Sequence, residues 1–546
     1  MKFDLRAEHV RVYLSLSAAI LFGAYLRLRN ITEHSLWLDE LFSVAVSQPE
    51  NSFFDVFHQT LSDVHPPFFQ WVLWVFYKIF GFGEMVGRYL SAAFGIMLIP
   101  AVFALGRQIF DLRVGLYVAW FAAVNFYLIV YSQEIRSYEL LALLTIVSFV
   151  VFIKAMRTLD GFHVFVYSLT AAMLVSTHYF GFLVVFAQAL LVLIGMLESP
   201  WDKRRLYHFS LAGFFILLCV APQIPYMYAR LDHGDFWVPV PNDHFFIELF
   251  ILYFGSLPLS IVSMVLLVVA VAKCLETVKD FRCCIFVVWI VTCMVVPYLY
   301  SLYVQPVLTM RNLIILLPVI LVLLAFALSL FKERWARIGL GVLILCFSMT
   351  PIFTSFKPVH TFENQLTPVS QMRDVVAGLI QIPTQWPMYA KQNVEFGMYF
   401  KLLGSSLTVR GHDQFMRDLL SKELPEKFYY LATQGIALPE ENFMRQYGVV
   451  LMKTKTVGNT VVLELQSLYQ INSSLTSTVL TPNARSPTSA KPWEAASAMV
   501  CDLACELGGS RCHMALGLQQ IDRILVKRAL GRAGPVCESI AHEYGT

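Results

Sequence analysis

Long apolar stretches recur about eleven times up to residue 355, each near the roughly 20 residues that cross a bilayer as a helix. A backbone in hydrocarbon must pair its polar groups internally, so such a chain folds as a bundle of helices. The stretches lie near 11–29, 86–105, 114–131, 139–156, 162–179, 180–197, 207–225, 246–272, 284–303, 312–331 and 338–355. Composition agrees: of 546 residues, 57% are hydrophobic and only 14% charged, where a soluble domain carries about a quarter charged. The 44 Phe and 24 Tyr suit aromatic belts at membrane interfaces. The expected fold class is an α-helical polytopic membrane protein with about eleven transmembrane helices, followed by a small extracytoplasmic α/β domain. The first stretch has no small-residue cleavage site, so it reads as an uncleaved anchor.

Lysine and arginine in the short loops set the orientation. One side takes Lys2, Arg6, Arg11, Arg107, Arg113, Lys154, Arg157, Lys203, Arg204, Arg205, Lys273, Lys279, Arg282, Lys332, Arg334 and Arg337, sixteen in all. The other takes seven: Arg27, Arg29, Lys78, Arg88, Arg136, Arg230 and Arg311. The richer side is expected to be cytoplasmic, with the N-terminus there and the region after Phe356 outside. The net charge of +3 hides this asymmetry, and no basic–aromatic run suggests a nucleic-acid groove.

Polar chemistry gathers in the loops assigned to the outside. The loop 30–85 carries Trp37-Leu38-Asp39-Glu40, then Asp63 and His65-Pro66-Pro67. A second loop reads Tyr131-Ser132-Gln133-Glu134-Ile135-Arg136-Ser137-Tyr138. Others hold Thr177-His178-Tyr179-Phe180-Gly181, the cluster Asp232, His233, Asp235 and Asp243, and Met310-Arg311-Asn312. Residues 68–82 are aromatic but short for a span, and counting them as one would reverse the charge asymmetry downstream. With 35–60 they read as two interfacial helices joined at Pro66-Pro67.

The ordered set resembles the GT-C glycosyltransferases. Asp-Glu comes in the first outer loop, His-Pro-Pro before an aromatic helix, and Gly87-Arg88-Tyr89-Leu90-Ser91-Ala92 at the start of a span. Within the GT-C class it is most similar to the protein O-mannosyltransferase and lipid A aminoarabinose transferase group, especially bacterial members. The stretches 131–138, 177–181 and 310–313 carry that likeness, which spans roughly 10–355 in motif order. His65 stands where the aminoarabinose transferases carry an acid–lysine pair, which leaves the sugar open. The resemblance implies a glycosyltransferase drawing sugar from a polyprenyl-phosphate donor in the bacterial inner membrane, and a lipid, glycan or protein acceptor. It also implies inversion at the sugar, Asp39 as base and no obligatory metal; whether a metal binds stays open.

The residues support the same chemistry on their own terms. Moving a sugar from a lipid phosphate to a hydroxyl calls for a base near the acceptor and cations facing the departing phosphate. Asp39, with Glu40 beside it, is the expected catalytic carboxylate, and His65, Arg136, Arg311 and Arg88 are the expected phosphate ligands. Glu134, Tyr138 and His178 are expected to support them. Plainer readings compete: Asp39-Glu40 as a solvated helix start, Glu134 paired with Arg136, Arg88 and Arg311 as headgroup anchors, and His178 as a satisfied turn residue. Asp232, His233 and Asp235 match no strong metal-ligand spacing. Three other functions fit a many-span chain. One is a secondary transporter, though no internal repeat is seen; another is a different lipid-linked-sugar enzyme such as a ligase or polymerase; the third is a non-catalytic scaffold.

Beyond the spans the pattern changes. Residues 356–470 lose the apolar runs and predict helices near 368–381 and 413–423, a strand at 428–432, and a hairpin over 447–465 turning at Gly458-Asn459. The tail 471–546 opens Ser/Thr/Pro-rich and holds Cys501, Cys505, Cys512 and Cys537, with no function legible in it.

Overall fold

The computed structural model describes residues 2–61, 65–198, 203–231, 238–276, 281–354, 371–382, 386–433, 438–457 and 460–468. Asp63, the Asp232–Asp235 cluster, the Gly458-Asn459 turn and the cysteine-bearing tail lie outside them. Met1–Ser474 forms one compact unit; Leu475–Thr546, the other, is also outside the described residues.

The helical part runs α1 (Lys2–Leu28), α2 (Leu38–Val46), α3 (Phe53–Leu61), α4 (Phe68–Phe80), α5 (Glu84–Ile109), α6 (Leu112–Val124), α7 (Phe126–Ser132), α8 (Tyr138–Thr158) and α9 (Gly161–Val175). It continues with α10 (Gly181–Glu198), α11 (Lys203–Val220), α12 (Ile224–Leu231), α13 (Phe245–Phe254), α14 (Leu257–Glu276), α15 (Phe281–Ile290), α16 (Val296–Tyr303), α17 (Leu317–Leu330) and α18 (Arg334–Thr354). Six helices among the described residues are long and apolar enough to cross a membrane, or seven if α6 and α7 count as one span bent by 58°. By that measure the expected eleven are not reached: α9, α10 and α17 are shorter apolar helices, and α18 is not among the six.

Local chemistry explains where expected spans break. The stretch 114–131 bends at Asn125, whose Oδ1 accepts from Leu128 N at 3.0 Å and whose Nδ2 donates to Tyr253 O at 2.9 Å. A side chain that caps the second helix favours ending the first. The stretch 246–272 divides into α13 and α14 because Gly255 takes φ +72°, a left-handed cap that L-residues resist. Asp111 and Asp160 start α6 and α9 in the same capping manner. The apolar segment 68–82 forms α4, whose 13 residues rise only about 20 Å, too short to span.

Among the lysine- and arginine-rich loops, Arg107 reaches Tyr13 and Arg157 reaches Gln108 O. The loops holding Asp39, His65, Arg136, His178 and Arg311 meet one another.

After the spans comes α19 (Met372–Ile380), then a five-stranded sheet of order β2-β1-β3-β5-β4. Its strands are β1 (Met388–Ala390), β2 (Val409–Gly411), β3 (Lys427–Thr433), β4 (Val449–Val457) and β5 (Thr460–Ser467), with α20 (Asn393–Leu402), α21 (His412–Leu420) and α22 (Glu441–Gln446) between them. β1 lies parallel to β2 and β3, while β5 is antiparallel to β3 and β4. The small α/β domain is therefore present, with strand and hairpin at the expected positions.

Candidate active site

The short helix α2 starts the site. Trp37 precedes it in extended conformation, and Asp39 and Glu40 fall in its first turn, where the positive end of the helix dipole favours acids. Adjacent residues on a helix diverge by about 100°, so the two carboxylates enter different surroundings.

Asp39 is 36% exposed at its side chain and faces two guanidiniums. Arg311 Nη1 donates to Asp39 Oδ2 at 3.1 Å, and Arg136 Nη2 stands 3.7 Å from the same oxygen. Arg136 Nη1 also donates to Asp39 O at 2.9 Å and Ser43 Oγ at 3.2 Å. Its Nη2 donates to His65 Nε2 at 2.9 Å, so that imidazole is neutral at Nε2 in this arrangement. Arg136 lies 5.8 Å over the Tyr138 ring, and Arg311 5.4 Å over Trp37. Burial works against both charges, yet Asp39 and Tyr138 outweigh it, so each guanidinium is held above its usual range.

Glu40 is fully buried. Its carboxylate accepts from Trp37 N at 3.2 Å and Ile135 N at 2.9 Å, and pairs with Arg88 Nη2 at 3.3 Å. Arg88 spends its remaining donors on Ile31 O and His34 O, both at 2.7 Å, and on Ser35 O at 3.4 Å. Glu134 is buried, and its carboxyl is pushed up to about 8, first by burial and then by Glu40. His178 accepts from Phe180 N at its Nδ1 and lies 5.8 Å from His65, ring to ring. Burial, with His65 and the arginines nearby, takes it well below the usual histidine range, so it is neutral.

Every expected site residue therefore falls in one neighbourhood. Asp39, His65, Arg136 and Arg311 touch directly or through one another, and Glu40 and Arg88 form a buried layer behind them. The sequence did not point to the residues that hold the Arg311 loop. Tyr127 donates to Met310 O at 2.9 Å, Tyr253 to Leu313 O at 2.6 Å, and Trp289 to Ile315 O at 3.2 Å. Buried tyrosines inside apolar stretches were the available signal, since a phenol in hydrocarbon needs a partner. Among the described residues no three His, Cys, Asp or Glu stand together to hold a metal.

Comparisons with known proteins agree with this architecture. Residues 64–226 match the family described as dolichyl-phosphate-mannose-protein mannosyltransferase. The chain is similar to ArnT from Cupriavidus metallidurans in the apo state, at 14% identity and TM-score 0.56, covering 84% of this chain and 98% of that one. It is similar to the same protein bound to undecaprenyl phosphate, at 14% identity and TM-score 0.55, covering 83% and 97%. The apo oligosaccharyltransferase of Archaeoglobus fulgidus aligns at 11% identity and TM-score 0.51, covering 77% of this chain and 69% of that one. A comparison with curated proteins found no match. At these identities what is shared is the fold.

Proposed function

From the GT-C glycosyltransferase fold that this chain carries, we propose that it moves a sugar from a polyprenyl-phosphate donor to a hydroxyl acceptor. The transfer takes place on the extracytoplasmic face of a bacterial inner membrane. One observation carries the reading: a partly exposed carboxylate, Asp39, gripped by arginines that lie 97 and 272 residues away in sequence. Two cations converging on an accessible acid suit a reaction that needs a base and a phosphate ligand together. The solved structure of ArnT with undecaprenyl phosphate supports a lipid-phosphate donor.

In this reading the acceptor oxygen attacks the anomeric carbon while its proton passes to Asp39. The bond from that carbon to the phosphate oxygen breaks on the opposite side, the configuration inverts, and polyprenyl phosphate leaves with the electron pair. Arg136 and Arg311 meet the charge collecting on that phosphate. Both contact Asp39, so a lipid phosphate bound by the same guanidiniums competes with that carboxylate and frees it to accept a proton. His65 orients Arg136 as a neutral acceptor. Glu40 and Arg88 position the helix start, Tyr138 and His178 flank Arg136, and Glu134 is uncharged at neutral pH, so it adds no repulsion toward phosphate.

The test incubates purified protein with radiolabelled polyprenyl-phosphate sugars and membrane extract. Transfer from at least one donor is expected, with Asp39→Asn losing it by about a hundredfold or more. Full transfer by that variant removes Asp39 as base. No transfer from any donor, with solute uptake in proteoliposomes, contradicts the enzyme and favours a transporter.

A further inference from the structure

The segment 31–37, which leads into α2, has little regular structure of its own, yet its backbone is held almost continuously by side chains. Arg88 takes the carbonyls of Ile31, His34 and Ser35. The two carbonyls between go to Arg373 of α19: Nη1 donates to Thr32 O at 2.9 Å and Nη2 to Glu33 O at 3.3 Å. The Arg373 backbone N–H donates to Ser35 Oγ at 3.2 Å. Tyr399 of α20 then takes both polar groups of Leu36, accepting from its N–H and donating to its carbonyl. Charges alternate along the same path, with Arg373 Nη1 3.2 Å from Glu84 Oε1, that oxygen 3.5 Å from Arg88 Nη1, and Arg88 Nη2 3.3 Å from Glu40 Oε2.

We infer that the C-terminal α/β domain is a working part of the site, and that Arg373 and Tyr399 are positioning residues that fix the segment aiming Asp39. The inference rests on the proposed transfer for its catalytic consequence, though not for the grip itself. A backbone whose consecutive carbonyls are satisfied by two arginines, themselves bridged by Glu84, has few alternative paths. Removing one arginine returns Thr32 and Glu33 to water and leaves Glu84 with Arg88 alone. The cost falls on the direction of Asp39, because only Trp37 and Leu38 separate the last gripped carbonyl, that of Leu36, from it. Lys401 adds a peripheral tie, pairing with Glu50 at 3.3 Å beyond the end of α2.

Arg373→Ala, Arg373→Lys and Tyr399→Phe in the full chain test the inference by two readouts. Hydrogen exchange over 31–41 is expected to quicken by about tenfold in the alanine and phenylalanine variants, and less in the lysine variant. The kcat for transfer is expected to fall by about tenfold, with donor KM within about twofold, and to recover in part with lysine. Arg445→Ala, which removes an exposed pair with Glu441 in the same domain, is the control and should change neither. Unchanged exchange and kcat in both Arg373→Ala and Tyr399→Phe overturn the inference while leaving the proposed function intact. So does a loss confined to KM, or an equal loss in the control. A wild-type protein that transfers from no donor overturns the proposed function instead, and the exchange readout then decides the grip alone. Tyr399→Phe deletes one hydroxyl, so the test survives an Arg373→Ala variant that fails to fold.

Discussion

Asp39 and Glu40 are adjacent, and the sequence offered both as catalytic carboxylates. Which of the two meets solvent depends on what packs behind α2, and that comes from Arg88 and Ile135, 48 and 95 residues from Glu40. No local pattern carries it. Glu134 was equally opaque, because its burial is set by neighbours from distant loops. Its carboxyl is raised from 4.5 to about 8, so the folded state holds a proton that the unfolded state releases. That contribution to stability is fully present below pH 4.5 and is lost as pH rises through 8. Thermal unfolding in detergent should therefore show the wild type losing stability between pH 5 and 8.5 relative to Glu134→Gln. Parallel curves for the two proteins would mean that Glu134 does not hold that proton.

At the scale of elements, the long apolar helices were legible and their interruptions were not. Apolar count shows that 114–131 belongs in the membrane, but the bend needs Asn125 to meet Tyr253. Buried Arg27 closes the same break from α1, donating to Ala122 O and Ala123 O, both at 3.0 Å, and to Ser132 Oγ at 3.1 Å. Ser132 in turn donates to Glu139 Oε1 at 2.8 Å, which steadies the loop carrying Arg136. α5 passes this cluster at Gly95, where an added Cβ would sit 2.1 Å from Ser132 Oγ and 2.8 Å from Arg27 Nε. Gly95→Ala is therefore expected to destabilise by about 1–3 kcal/mol through overpacking. A melting temperature equal to wild type in detergent would contradict the packing described. In the C-terminal domain β1 and β2 escaped notice because three residues are too few for a period, whereas the longer β3, β4 and β5 declared themselves.

For the whole molecule, motif order was the most informative feature, because separately weak patterns fell into one sequence that the fold then brought together. The contribution of the α/β domain was not legible: Arg373 and Tyr399 are ordinary residues until α19 and α20 lie against the first loop. Orientation rests on the charge asymmetry and yields a labelling prediction. With a single cysteine introduced in an otherwise cysteine-free chain, Lys453→Cys on exposed β4 should react with an impermeant maleimide in intact cells. Lys203→Cys should react only after lysis. The opposite pattern would invert the topology.

The most direct test of the account is binding of undecaprenyl phosphate to the purified protein, compared among wild type, Asp39→Asn and Arg311→Ala. If Asp39 and the phosphate compete for the same two guanidiniums, Asp39→Asn should bind the lipid as tightly as wild type or tighter while its transfer falls by about a hundredfold or more. Arg311→Ala should bind it about tenfold or more weakly. Equal affinity in all three, or weaker binding on loss of the Asp39 charge, would contradict a site in which Asp39, Arg136 and Arg311 surround a lipid phosphate.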